Sequence, residues 1–147
     1  MSPKTPVRIV VVEDNFPDVM LVGESLLSLS IEHELIHYRD GAEAIKQLCG
    51  LGSESQYPDV IVLDLNMPKV GGLEVLRCIK RSQDLSNIPV AVLTSSLSPN
   101  ERAEAQGLGA DRFLRKPVDL YDYLNQVGSM LQDLILIGNS RRETVAT

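Results

Sequence analysis

Val60-Ile61-Val62-Leu63, closed by Asp64 and followed by Leu65-Asn66-Met67-Pro68, decides how this chain of 147 residues folds. A short, unbroken apolar run after a polar loop (Gly50 to Pro58) reads as a strand covered on both faces, the signature of a parallel sheet. A carboxylate ending such a strand adds little to packing, so Asp64 draws attention as chemistry. Working outward, similar runs recur. Val7–Val12 is β-branched and ends at Glu13-Asp14; Ile88–Leu93 ends at Thr94; Asp111–Leu114 is shorter and runs into Lys116-Pro117. Glu34–Tyr38 is more polar and reads as a strand nearer an edge.

Between these strands lie helical stretches. Val19, Leu21, Val22, Leu26 and Leu29 form a stripe after the Asn15-Phe16-Pro17 helix start; Ala42–Leu48 is a second helix; Gly71-Gly72 opens a third that runs to about Arg81; Ser98-Pro99 opens a fourth to about Gln106; and Val118 to about Ile137 is the longest. The polar tail from Gly138 is expected to fray. Strand and helix alternating five times predict an α/β fold: a doubly wound, five-stranded parallel sheet of the flavodoxin-like kind. Its strand order 2-1-3-4-5 is taken from that fold class. With no internal repeat and no dividing linker, residues 1–147 are expected to form one domain, with a core at about 7–137.

In such sheets, ligands sit outside the carboxyl ends of the strands. That rim would gather Glu13, Asp14 and Asp64, with Asn66 just beyond, the hydroxyl of Thr94 and the ammonium of Lys116. Close carboxylates repel unless a cation lies among them. Hard oxygen donors at an exposed rim favour Mg²⁺, which keeps several waters and takes few carboxylates plus phosphate oxygens. Lys116 and Thr94 suit an anion, one as a point charge and the other as a hydroxyl donor. A carboxylate facing Mg²⁺, a lysine and a hydroxyl is a phosphoryl-acceptor site.

Composition agrees with a compact, water-soluble chain: 44% hydrophobic and 23% charged residues, with a formal net charge of −6. The acidic balance argues against a generic binder of nucleic acid or anionic membrane. Val7–Val12, interrupted by Arg8, is too short for a signal segment or a membrane span, so a cytosolic protein is expected. Cys49 and Cys78 show no CxxC spacing, and two reduced thiols are expected. His33 and His37 read as structural or solvated. Phe113 alone reads as core.

The pieces V-V-E-D-N, V-L-D-L-N-M-P, V-L-T-S and F-L-R-K-P resemble, in order and spacing, the response-regulator receiver domains of two-component signalling, over about residues 7–137. The resemblance implies that Glu13 and Asp14 hold Mg²⁺ together with Asp64 and the backbone carbonyl of Asn66. It implies that Asp64 accepts a phosphoryl group from a histidine kinase, that Thr94 and Phe113 are switch residues, that Lys116 pairs with phosphate, and that the Lys116-Pro117 bond is cis. Such a protein is a switch that assists its own phosphorylation and dephosphorylation rather than an enzyme, and it signals to a partner protein. Where many members have Asp-Gly, this chain has Gly71-Gly72, which removes an N-cap at a cost of a few tenths of a kcal/mol. The motif V-E-D-N-x-x-D, the T-S-S after the fourth strand and the long final helix resemble the stand-alone regulators paired with bacterial phytochromes.

Two other classes use related folds or chemistry. A Mg²⁺-dependent phosphatase of the haloacid-dehalogenase type would need D-x-D on an early strand, but Asn66 stands two after Asp64. A flavodoxin-like electron carrier would need a hydroxyl- and Gly-rich phosphate loop where Glu13 and Asp14 stand. On the last helix, Leu120, Leu124, Val127, Leu131 and Leu134 form the stripe expected to pack on the sheet, widened by Tyr123, Met130 and Ile137. Ile135 and Leu136 fall outside it, and the expectation is a homodimer through this helix.

Overall fold

The structure, a computed structural model, describes residues 5–50, 57–96 and 98–146, with side chains described as far as Arg142. The elements are β1 (Val7–Val12), α1 (Phe16–Ser28), β2 (His33–Tyr38), α2 (Gly41–Cys49), β3 (Val60–Leu63), α3 (Gly72–Arg81), β4 (Val90–Thr94), α4 (Pro99–Leu108), β5 (Arg112–Arg115) and α5 (Leu120–Ala146). The five strands form one sheet in the order β2-β1-β3-β4-β5, and every neighbouring pair is parallel. This is the doubly wound α/β fold expected from the apolar runs. The strand order reverses between β1 and β3, so the crevice of the sheet opens at their carboxyl ends.

Alternation along the strands divides the interior in two. Val10, Val12, Ile61, Leu63, Val90 and Val92 face α2 and α3, joining Leu48, Val75, Leu76 and Ile79. Ile9, Val11, Val60, Val62, Ala91 and Leu93 face α1 and α5, joining Val22, Leu26, Val127, Leu131 and Leu134. The helices are anchored very unequally. α3 buries Gly72, Val75, Leu76 and Ile79, whereas α4 buries only Ala105. Asn15, Asp40 and Ser98 cap α1, α2 and α4 through side chains that accept from the backbone N–H three residues on. Gly71 caps α3 with no side-chain bond, as its composition requires. Among described non-glycine residues, Ser30 and Lys69 adopt left-handed backbone, Lys69 at φ 67° in the loop after β3.

Several expectations are corrected. β4 starts at Val90 rather than Ile88; the Asp111 carboxylate, expected inside β5, instead accepts from the Val90 N–H at 2.9 Å. The polar segment from Gly138 does not fray: α5 continues to Ala146, with Arg141 bonded to Asp111 and Arg142 to Asp59 at 2.9 Å. Leu120, expected on the packed stripe, is 59% exposed, like its neighbours Val118 and Tyr121; in the first turn of α5 it is Tyr123 that packs inward. Leu136 faces outward, as its phase predicts. No peptide bond among the described residues is cis, so Lys116–Pro117 is trans, the form favoured before proline by about 0.5–1 kcal/mol. Cys49 and Cys78 are bonded to each other rather than separate, since α2 and α3 lie side by side on one face of the sheet. No helix among the described residues is long and apolar enough to cross a membrane.

Candidate functional site

Three of the rim residues are each held by one backbone rung beyond the end of a strand. The Glu13 N–H donates to the Tyr38 carbonyl at 3.1 Å, Asp64 N–H to Val12 at 3.0 Å, and Lys116 N–H to Thr94 at 2.8 Å. Register therefore carries the side chains to one place. Carboxylate oxygens of Glu13, Asp14 and Asp64 lie within 4.8 Å of one another, Glu13 and Asp64 buried and Asp14 exposed. Lys116 Nζ reaches into this group, 2.5 Å from Glu13 Oε1, 2.7 Å from Asp18 Oδ2 and 3.4 Å from Asp64 Oδ2. The sequence-predicted residues Glu13, Asp14, Asp64 and Lys116 are thus together, and the lysine already occupies the place where a cation would relieve their repulsion.

Thr94, fully buried at the end of β4, faces the same space. Its Oγ1 accepts from Asn66 Nδ2 at 3.3 Å and from the Ser96 N–H at 3.2 Å. The Asn66 N–H in turn donates to Asp64 Oδ1 at 3.2 Å. From Ser96 the chain of bonds goes on: its hydroxyl donates to Glu101 Oε1 at 2.5 Å, in the first turn of α4, and its oxygen accepts from the Ser98 N–H at 3.2 Å. Phe113 lies apart, half-buried on β5 beside the core, with the Arg102 guanidinium 5.2 Å from its ring centroid.

Burial pushes the Glu13 carboxyl up to about 8, against the opposing pull of Lys116. Burial also works against the charge on Lys116, but its hydrogen bonds to Asp18 and Glu13 outweigh that and hold the ammonium above its ordinary pKa. Burial likewise raises the Tyr123 phenol, whose hydroxyl donates to the Asp18 carbonyl at 3.3 Å.

Sequence reasoning missed two participants. Asp18 figured only as the last letter of V-E-D-N-x-x-D, yet it is a principal partner of Lys116. His37, read as structural or solvated, donates through Nε2 to the Glu13 carbonyl at 2.7 Å and so steadies the rim. No local pattern marks either contact, because β2 and α1 meet the rim only once the sheet is assembled.

The model of the response regulator receiver domain matches residues 9–127. The chain belongs to that family. Response regulator Rcp1 of Synechocystis is 42% identical over 124 residues, covering 83% of this chain and 84% of that protein. The solved structure of the phosphorylated cyanobacterial phytochrome response regulator RcpA superposes with a TM-score of 0.78 at 34% identity, covering 86% of this chain and 91% of that one. The Mn²⁺-bound form of Rcp1 gives a TM-score of 0.76 at 40% identity, covering 85% and 91%. This receiver is therefore a response regulator of two-component signalling, a switch rather than a phosphatase of the haloacid-dehalogenase type, and similar to a phytochrome response regulator.

Proposed function

We propose that this receiver accepts a phosphoryl group on Asp64 from a histidine kinase, a bacterial phytochrome by analogy with its relatives, and relays it as a change of surface to a partner protein. The observation that carries this is the gathering of three carboxylates within 4.8 Å, with the Lys116 ammonium 3.4 Å from Asp64. That donor set, hard oxygens at an open rim, suits Mg²⁺, held by Glu13, Asp14, Asp64 and the Asn66 backbone carbonyl. A bound divalent cation would supply positive charge between the carboxylates and the phosphate oxygens.

The remaining work falls to the chain itself. An Asp64 oxygen attacks phosphorus, the phosphorus–nitrogen bond of a phosphohistidine breaks, and an acyl phosphate forms. Lys116 turns from Glu13 and Asp18 to the new phosphate oxygens. The Thr94 hydroxyl, which accepts from Asn66 and Ser96 in this structure, donates its proton to the phosphate. Moving Thr94 disturbs the bonds through Ser96 to Glu101 and leaves space for Phe113, so α4 and β5 change together. The kinase docks near α1, in the cytoplasm, without nucleic acid or membrane. A second copy packs on the outer face of α5, where Leu136 is 62% exposed.

Acetyl phosphate with Mg²⁺ should add one phosphoryl group, seen by intact mass, and Asp64→Asn should abolish it. Label retained in that variant overturns the acceptor assignment. Sedimentation at micromolar concentration should show a dimer that Leu136→Glu splits; a monomeric wild type, or a dimer untouched by that charge, removes the α5 interface.

A further inference from the structure

Cys49 closes α2, Cys78 lies in α3, and they are the two cysteines of the chain. They come from positions 29 residues apart and are bonded to each other. Both are reachable from solvent, Cys49 being exposed and Cys78 half-buried. Neither belongs to the acidic rim. On the cytoplasmic placement proposed above, such a bond forms against a reducing background, where disulfides are usually transient and redox-sensing rather than structural.

The surroundings favour exchange. Side chains three or four apart on a helix are neighbours. At that spacing Cys49 has Lys46, Cys78 has Arg81, and Glu74 is the acidic group, four before Cys78. Nearby cations stabilise a thiolate and attract an anionic reagent. The cross-link also bears on the loop that carries the rim. α2 begins at Gly41, where a Cβ would come within 2.9 Å of Val70 Cγ1; α3 begins at Gly72, where a Cβ would lie 2.7 Å from Leu65 Cα. The two helices thus abut the 65–71 loop at one end and are tied through sulfur further along.

We propose that Cys49 and Cys78 form a reversible oxidation site that takes a small anionic disulfide of the glutathione class and responds by cross-linking α2 to α3. The exposed Cys49 thiolate attacks one sulfur of the incoming disulfide; that S–S bond breaks and one thiolate leaves. Cys78 then attacks the Cys49 sulfur of the mixed disulfide and expels the second thiolate. Two protein thiols are oxidised and one external disulfide is reduced to two thiols, so atoms and electrons balance.

The test incubates the reduced full-length protein with oxidised glutathione, blocks remaining thiols with N-ethylmaleimide and measures intact mass. Wild type should lose two hydrogens, take up no maleimide, and return to the dithiol with dithiothreitol while still folded. Cys78→Ser should stop at a single glutathione adduct on Cys49. Wild type that carries glutathione adducts, takes up maleimide on both thiols, links to a second molecule, or is not reduced until unfolded overturns the proposal.

Discussion

Divalent-cation binding should tighten steeply between about pH 6.5 and about pH 8, and the buried Glu13 carboxyl sets the size of the effect. Burial raises its pKa to about 8, and only the ionised form is a ligand. The carboxyl is then mostly neutral at the lower pH and about half ionised at the upper, so affinity should rise by roughly an order of magnitude, or about 1–2 kcal/mol. Nearly one proton should leave per cation at the lower pH and about half a proton at the upper. Calorimetric titration with Mg²⁺ or Mn²⁺ in two buffers of different ionisation enthalpy measures both quantities. Glu13→Gln should bind more weakly and with little dependence on pH. Flat wild-type affinity across the range, or binding with no proton released, refutes the reasoning. The sign for stability runs the other way. Because the folded pKa lies above the ordinary value of 4.5, the contribution of Glu13 to metal-free stability is complete below about 4.5 and is lost as pH rises through about 8.

Four further outcomes concern stability. Gly72→Ala should cost about 1–3 kcal/mol in urea denaturation, because the new Cβ meets the backbone of Asp64 and Leu65, which cannot yield as a flexible side chain would; an unchanged midpoint contradicts this. Leu131→Ala, at a fully buried position on α5, should cost about 2–5 kcal/mol by the same measurement. Arg141→Ala should cost under about 1 kcal/mol, since the pair with Asp111 is partly solvated, but should speed amide exchange over residues 138–142. Lys69→Gly should raise stability by up to about 1 kcal/mol, because a Cβ at φ 67° is strained and glycine is not.

The parts of the fold readable in advance are those where local pattern and burial agree. Val60–Leu63 and Val7–Val12 are covered on both faces, so their continuous apolar runs announce them, and the residues just past their ends, Asp64 and Glu13, follow from strand direction alone. β5 is less legible: Arg112 and Arg115 are exposed at the sheet edge, and only Leu114 and half-buried Phe113 look inward. The last turns of α5 read as a tail because Asn139-Ser140-Arg141-Arg142 carry no apolar stripe. What holds them is charge, Arg142 reaching Asp59 from 83 residues away, which no periodicity reports. Asp18 and the Cys49–Cys78 bond escaped for the same reason: each depends on two helices, or a helix and a strand end, meeting in space. The expected cis bond before Pro117 came from resemblance alone, and no residue nearby argued for it.

The uneven anchoring of the helices sets where this molecule is compliant. Val75, Leu76 and Ile79 hold α3 by three fully buried side chains, worth about 1.5–3 kcal/mol each. The one buried residue of α4, Ala105, offers a methyl group, worth about 0.8 kcal/mol. A charge-assisted hydrogen bond gained at the rim is worth about 1.5–3 kcal/mol, a factor of ten or more in a two-state equilibrium. Spent on α3, that sum would leave its population untouched. Coupled to α4 through Thr94, Ser96 and Glu101, it exceeds what the Ala105 methyl contributes and is comparable with the whole hold on α4, which Leu108 and the Arg77–Glu104 pair complete. Filling the α4 underside with leucines would therefore yield a more stable protein and a deaf one.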